Sequence, residues 1–283
     1  MNQKKIDNGL YIVATPIGNL EDISFRAIEI LKLSRIILCE NPLHSSKLLI
    51  KYGIKKKLIS IHDYNEEKII TKLSQELFNS IIALISDSGS PLISDPGFKI
   101  VQYCIKNKIK ITSIPGPSSS ILALQLSGIS TNMFTFNGFI SKKDKQAKEL
   151  FEKIRQNSQT QIFFSSPHRL KKNIELMLKS LGNRKIAICR ELTKINEEVI
   201  RTNILDAIND IKNKKIKEKG EFVLIVEGNI SKNVDYLNQD TSLILSDLLK
   251  KFSLTDTVKI VHKLTNISKK KLYDIAIKKI KKE

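Results

Sequence analysis

The chain has 283 residues, 41% of them hydrophobic, and a formal net charge of +19. That length and composition describe a globular protein with core enough for two domains, not a disordered chain. Three cysteines (Cys39, Cys104, Cys189) form no C-x-x-C pair and the four histidines are scattered, which argues against a disulfide framework or a metal site and for a reducing compartment.

No stretch approaches the apolar length of a membrane span. Met1–Lys5 carries charge, but Leu10 to Ile17 is too short and broken for a signal peptide, so a cytoplasmic protein is expected. The positive charge points to a polyanion such as nucleic acid. It is spread along the chain: +5 over residues 1–117, +8 over 118–230 and +6 over 231–283.

In chain order, Leu10–Ala14 reads as a buried strand that ends in the turn Thr15–Asp22, followed by an amphipathic helix from Ile23 to Leu33. A strand at Ile36–Cys39 closes at Glu40-Asn41-Pro42. A helix over Ser45–Tyr52, a strand at Leu58–Ile61 and a helix over Asn65–Phe78 follow. The run Ile81–Ile85 is a buried strand, and it breaks into Ser86-Asp87-Ser88-Gly89-Ser90-Pro91-Leu92-Ile93-Ser94-Asp95-Pro96-Gly97. That density of Ser, Asp, Gly and Pro is a long shaped loop. In open α/β sheets the ligand crevice lies beyond the carboxyl ends of the strands. A helix at Phe98–Lys106 and a strand at Ile109–Ile114 lead to Pro115-Gly116-Pro117, where Ser118–Ser120 cap a helix over Ile121–Leu126 that stops at Gly128. The repeated strand-then-helix order predicts a parallel sheet with helices on both faces.

A second α/β unit begins near Phe134. Its strands are expected at Thr135–Phe139, Gln161–Phe164, Lys185–Cys189, Glu198–Arg201 and Glu221–Val226, and its helices at Lys142–Asn157, Leu170–Leu181 and Ile204–Lys212. Asn229–Asp240 reads as a polar linker. Three helices follow, at Leu243–Phe252, Thr255–Leu264 and Lys269–Ile280, which could form a helix-turn-helix unit or a helical cap with a solvated lysine face. The expected organisation is an N-terminal α/β domain over 1–117, a second over 118–230 and a small basic helical domain over 241–283.

The first strand is followed by no G-x-G-x-x-G, and the chain has no Walker loop and no G-x-S-x-G elbow. What remains is a set of loops rich in Pro, Gly, Ser, Asp and charge at strand ends, suited to a small polar ligand held between two α/β units. Six stretches stand in a fixed order: T-P-I-G-N-L-E-D from Thr15, S-D-S-G-S-P-L-I-S-D-P-G from Ser86, P-G-P-S from Pro115, S-P-H-R from Ser166, R-E-L-T-K from Arg190 and G-E-F-V-L-I-V-E-G from Gly220. Together they resemble the ribosomal RNA small-subunit methyltransferase I family, a branch of the tetrapyrrole-methylase-like enzymes, over nearly the whole chain. The resemblance implies two α/β domains of tetrapyrrole-methylase type with S-adenosylmethionine in the cleft between them. It also implies methylation of a cytidine ribose 2′-hydroxyl in small-subunit ribosomal RNA, and a homodimer. A small-molecule acceptor such as a tetrapyrrole precursor, and a non-catalytic RNA-binding assembly factor, are the alternatives.

Under that reading Pro16, Gly18, Asp87, Ser88, Gly89, Ser90, Ile93, Pro115, Ser118 and Ser119 are candidates for the cofactor. They offer close backbone approach, hydroxyls and a carboxylate; the Ser118 group stands at a helix N-terminus, which favours anions. The proton acceptor is open among Glu40, Asp87, Asp95, His168, Glu191 and Lys194, with Glu40, Asp87 and Lys194 put first for substitution; Glu191, Arg190 and Lys194 could equally form a structural ion-pair set. Candidate RNA contacts are His168, Arg169, Arg190, Lys171, Lys172 and Lys270, with Lys142, Lys143, Lys269 and Lys271 beside them. Two departures from the family pattern stand out: Asn41-Pro42-Leu43 replaces Asp-Thr-Arg after Glu40, leaving His44 and Lys47 as the nearest substitutes, and Ser165 replaces an acidic residue.

Overall fold

A computed structural model describes residues 6–229, 239–265 and 267–280. Met1–Lys5, most of the expected linker and Asn266 lie outside these residues. The chain divides into two compact units, one ending at Asn229 and the other beginning at Ile230.

The first unit carries two sheets. In the first, β1 (Gly9–Val13), β2 (Ile36–Cys39), β3 (Lys57–Ser60), β4 (Ile81–Leu84) and β5 (Ile111–Ile114) run parallel in the order β3-β2-β4-β1-β5. Its central strands are apolar at every position because both faces are covered. Tyr11, Val13, Ile37 and Ala83 pack against α1 (Phe25–Leu33) and α2 (Pro42–Lys51). Leu10, Leu38, Ile82 and Leu84 face the other way, onto α3 (Glu66–Asn79) and α4 (Phe98–Lys106). The expected parallel sheet with helices on both faces is present.

α2 starts three residues earlier than the apolar spacing predicts. Asn41 accepts the N–H groups of Leu43 and His44 through Oδ1, and Pro42 occupies the first helical turn. The Asn-Pro pair is therefore a helix start.

α5 (Ser119–Ser127) leads to the second sheet and packs on it, with Ala123 and Leu124 buried and Gly128 closing the helix at φ +70°. Here β6 (Phe134–Phe139), β7 (Thr160–Ser165), β8 (Lys185–Arg190), β9 (Glu198–Asn203) and β10 (Phe222–Val226) form the order β6-β7-β10-β8-β9. Only the β6–β7 pair is parallel; the others are antiparallel. One face carries α6 (Asp144–Ile154), α7 (Leu170–Leu181) and α8 (Ile204–Lys212), packed on Phe163, Ile186, Ile188 and Leu224. The opposite face presents Ile162, Ala187, Cys189, Val223 and Ile225 to α5, and to Ile17 from the first sheet's leading turn.

The second unit holds α9 (Gln239–Leu249), α10 (Leu254–Thr265) and α11 (Lys269–Ile280) around Leu245, Val258, Val261, Leu272 and Ala276. Two helix starts differ from the sequence reading. α9 begins at Gln239, inside the expected linker, and α10 begins at Leu254, one residue before the expected Thr255 start, after Ser253, whose Oγ accepts the Asp256 N–H.

Candidate functional site

A cleft of about 330 Å³ opens between the two sheets, within the ~300–1,000 Å³ range of small-molecule sites. Its first wall is the Ser86–Gly97 loop. Thr15 and Gly89 exchange both backbone hydrogen bonds, at 2.8 and 3.1 Å, and the Thr15 hydroxyl donates to Ser86 O at 3.1 Å. The far end is pinned by Glu66, which is buried. Its carboxylate accepts the N–H groups of Gly97 (3.0 Å), Lys99 (2.8 Å) and Ile100 (3.2 Å) at the start of α4. Between these anchors the backbone turns through left-handed geometry at Gly89 (φ +80°), Leu92 (φ +74°) and Ser94 (φ +72°). Two non-glycine residues in that region store strain, which a fixed surround must hold.

The loop presents Ser88, Gly89, Ser90, Ile93, Ser94 and Asp95 to the cleft, and the start of α5 adds Ser118, Ser119 and Ser120. Opposite stand Phe139 and Phe164, edge to face at 5.1 Å, with Ser165, Ser166, Leu192, Gly220 and Glu221. Hydroxyls dominate one side and aromatic and aliphatic groups the other. A ligand with a zwitterionic end, a ribose and a flat heterocycle has chemically matched partners here. Gly89 sharpens the fit: a Cβ there would lie 3.1 Å from Ile17 Cγ2 and 3.6 Å from Pro117 O, inside the wall itself.

Among the cofactor candidates, Ser88, Gly89, Ser90, Ile93, Ser118 and Ser119 line the cleft, whereas Pro16, Gly18, Asp87 and Pro115 do not. Pro16 is buried in the turn behind the wall. Asp87 Oδ1 accepts the Asn41 N–H at 3.1 Å, tying the loop to the start of α2. Ser118 sits at the N-cap of α5 without making a capping bond; its hydroxyl pairs with that of Ser120 at 3.0 Å. Phe139, Phe164, Gly220 and Glu221 were missed, since the sequence does not show which faces of the second sheet meet the first.

The catalytic candidates separate cleanly. Of the two carboxylates on the cleft, Glu221 is bound by Lys194 at 3.0 Å, and Asp95 makes no ion pair among the described residues. Burial first, then the charges of Glu40 and Asp87, push Asp95 up to about 6, against the opposing pull of a Ser86 hydrogen bond. Glu40 is itself raised, by partial burial and then by Asp87 and Asp63, and does not line the cleft. Lys194 is no proton acceptor. Burial would lower it, but hydrogen bonds to Glu191 and Glu221, both at 3.0 Å, outweigh that and keep the ammonium charged. Burial pushes the Cys189 thiol up to about 12, so the one cysteine on the cleft is inert.

Three RNA candidates, Arg190, Arg169 and Lys172, are already committed to ion pairs. Arg190 is the last residue of β8 and not a loop residue: it is 9% exposed, donates to Lys219 O at 2.6 Å and pairs with Glu198 at 3.5 Å. Arg169 pairs with Asp144, which also holds Lys172 at 3.6 Å. His168 is exposed on the short 3₁₀ turn Pro167–Arg169, Lys171 is partly exposed on α7, and Lys270 is exposed on α11. Among the described residues no helix is long and apolar enough to cross a membrane.

Residues 9–208 match the family of Tetrapyrrole (Corrin/Porphyrin) Methylases. The chain is 45% identical over 229 residues to the ribosomal RNA small subunit methyltransferase I of Halalkalibacterium halodurans, covering 80% of this chain and 78% of that one. It is 39% identical to the protein of the same name from Haemophilus influenzae, covering 96% of this chain and 98% of that one. Diphthine synthase shares the fold, with a TM-score of 0.61 at 13% identity over 77% of this chain and 89% of that one.

Proposed function

Because the chain belongs to the ribosomal RNA small subunit methyltransferase I group of the tetrapyrrole methylases, we propose that it methylates small-subunit ribosomal RNA from S-adenosylmethionine, on the ribose 2′-hydroxyl of a cytidine. The observation that carries this reading is the hydroxyl-lined cleft with one unpaired carboxylate, Asp95, on its wall. S-adenosylmethionine supplies a methyl group on a sulfonium, so the reaction forms an O–C bond, breaks an S–C bond and releases the hydroxyl proton.

The chain's own residues do three things in this account. The serines of the Ser86–Gly97 loop and of the α5 N-terminus hold the polar end of the cofactor, and Phe139 and Phe164 exclude water from its other side. The anchors at Thr15 and Glu66 keep that surface fixed, so that alignment is established before the acceptor arrives. Asp95 takes the proton. A carboxylate raised to about 6 is still mostly ionised at neutral pH, yet is a better base than an ordinary aspartate.

The acceptor is RNA, alone or in the assembled small subunit, met by exposed groups such as His168, Lys171 and Lys270 and by the net charge of +19. The same reading has residues 1–117 and 118–230 working as the two domains of the cleft, and the protein acting as a cytoplasmic homodimer. The test is transfer of labelled methyl to small ribosomal subunits from cells lacking the protein, followed by nuclease digestion. Label on a cytidine ribose is the expected result. Cofactor binding without transfer to subunits or free RNA would point to a small-molecule acceptor, and no cofactor binding at all would defeat the enzyme reading.

A further inference from the structure

The stretch Glu191–Lys194 reaches the cleft through Leu192, and both of its charged side chains are paired within the protein. Glu191 (φ +50°) and Thr193 (φ +64°) both adopt left-handed backbone without being glycine. Glu191 Oε1 accepts from Lys194 Nζ at 3.0 Å and from the Glu221 N–H at 2.8 Å, and Glu221 Oε2 takes the other side of the ammonium at 3.0 Å. The Thr193 N–H donates to Glu197 at 2.6 Å, while its hydroxyl accepts the N–H of Asn19, from the turn that follows β1 in the other sheet, at 3.0 Å.

Two glycines record how close the approach is. A Cβ on Gly18 would lie 2.5 Å from Lys194 Cγ, 2.7 Å from Thr193 Oγ1 and 2.8 Å from Leu192 O. The last is backbone and cannot swing aside. A Cβ on Gly220 would fall within 2.7 Å of the Glu191 carboxylate. Beneath this contact Ile17 and Leu192, each 6% exposed, belong to one apolar cluster and both face the cleft.

We infer that Glu191–Lys194 is a strap joining the two sheets across one end of the cleft, and that Lys194 and Gly18 are positioning residues that set the cleft's width for the cofactor. Gly18 is small so that the strap can seat, and Lys194 holds Glu191 and Glu221 together beneath it. This rests on the reading that the cleft takes S-adenosylmethionine, and the test separates the two.

The full-length protein and its Lys194→Met, Lys194→Arg, Gly18→Ala and Thr193→Val variants are compared by calorimetric titration with S-adenosylmethionine, by methyl transfer at saturating cofactor, and by amide hydrogen exchange without ligand. Lys194→Met and Gly18→Ala are expected to weaken cofactor binding about tenfold while maximal transfer stays within about threefold of the parent, and Lys194→Arg to restore binding. The Asn19 amide should exchange about tenfold faster in Lys194→Met and in Thr193→Val, the variant that deletes its acceptor with least change of shape. The inference is overturned if Lys194→Met lowers maximal transfer with binding intact, or if its exchange changes stop at residues 190–194. Should the parent itself bind no S-adenosylmethionine, the cofactor reading fails, and Asn19 exchange still decides the strap.

Discussion

The loops Ser86–Gly97 and Glu191–Lys194 have much in common: each follows an interior strand, each is polar, and each carries at least one acidic residue. They are held in opposite ways. The first is fixed from outside, by backbone pairing with Thr15 and by the distant carboxylate of Glu66 on α3, so its serines and Asp95 face the cleft without being consumed. The second is fixed by its own side chains: Glu191, Thr193 and Lys194 are the scaffold. A charged residue in a site is available for chemistry only when something else does the holding.

The largest effect that would break this comparison is at Asp95. Asp95→Asn is expected to slow methyl transfer by about 10²–10⁴-fold with cofactor affinity nearly unchanged, since only the proton acceptor is lost. In the parent, transfer should fall as pH drops through about 6, where Asp95 takes up its proton. The stability sign is the reverse. A raised carboxylate contributes most to folding below the unfolded value of 3.8 and loses that contribution as pH rises through about 6. Asp95→Asn should therefore melt higher than the parent at pH 8, by about 1–2 kcal/mol after solvent screening, and the difference should vanish near pH 4. A variant that is slow and also less stable at pH 8 would mean that Asp95 is structural.

Next in size is Glu66. Glu66→Ala removes one carboxylate from three backbone donors and should cost about 3 kcal/mol in chemical denaturation, because buried N–H groups are left unpaired. Cofactor binding should weaken with it as the loop loses its far anchor. An unchanged affinity would show that the Thr15–Gly89 pairing alone is sufficient.

A smaller and more selective effect is expected at Glu40. Glu40→Gln removes the larger of the two charges that raise Asp95, so the acidic limb of the pH–rate profile should move below its parental position while the plateau stays put. A lost plateau would restore Glu40 as a group in contact with the reacting atoms. The smallest effect is at Lys270, exposed on α11. If it meets a phosphate, Lys270→Ala should reduce the slope of log affinity for RNA against log salt by about 1.

Much of the site was legible before the fold was known. The Ser86–Gly97 loop could be recognised because no helix or strand tolerates that spacing of Gly and Pro, and the serines after Pro117 because they precede a helix. Gly18 was legible as a close approach, and the neighbour the structure gives it is the strap, 174 residues further along the chain at the Asn19–Thr193 contact. Arg190 reads as a loop cation in the one-dimensional pattern, and it is buried by strand pairing on both sides, with β9 and β10, and by its contacts with Glu198 and Lys219 O.

The sequence by itself determined the local matters: where strands stop, which runs are buried on both faces, where Pro and Gly force a turn, and which family motifs stand in order. These depend on covalent geometry and on near neighbours, which the order of residues contains directly. Tertiary structure alone decided which charges are free. As letters, Asp95 and Lys194 both stand among the candidate proton acceptors, with Lys194 put ahead. One is a lone carboxylate pressed by Glu40 and Asp87, and the other an ammonium closed between Glu191 and Glu221, because long-range packing sets which charges share a low-dielectric space.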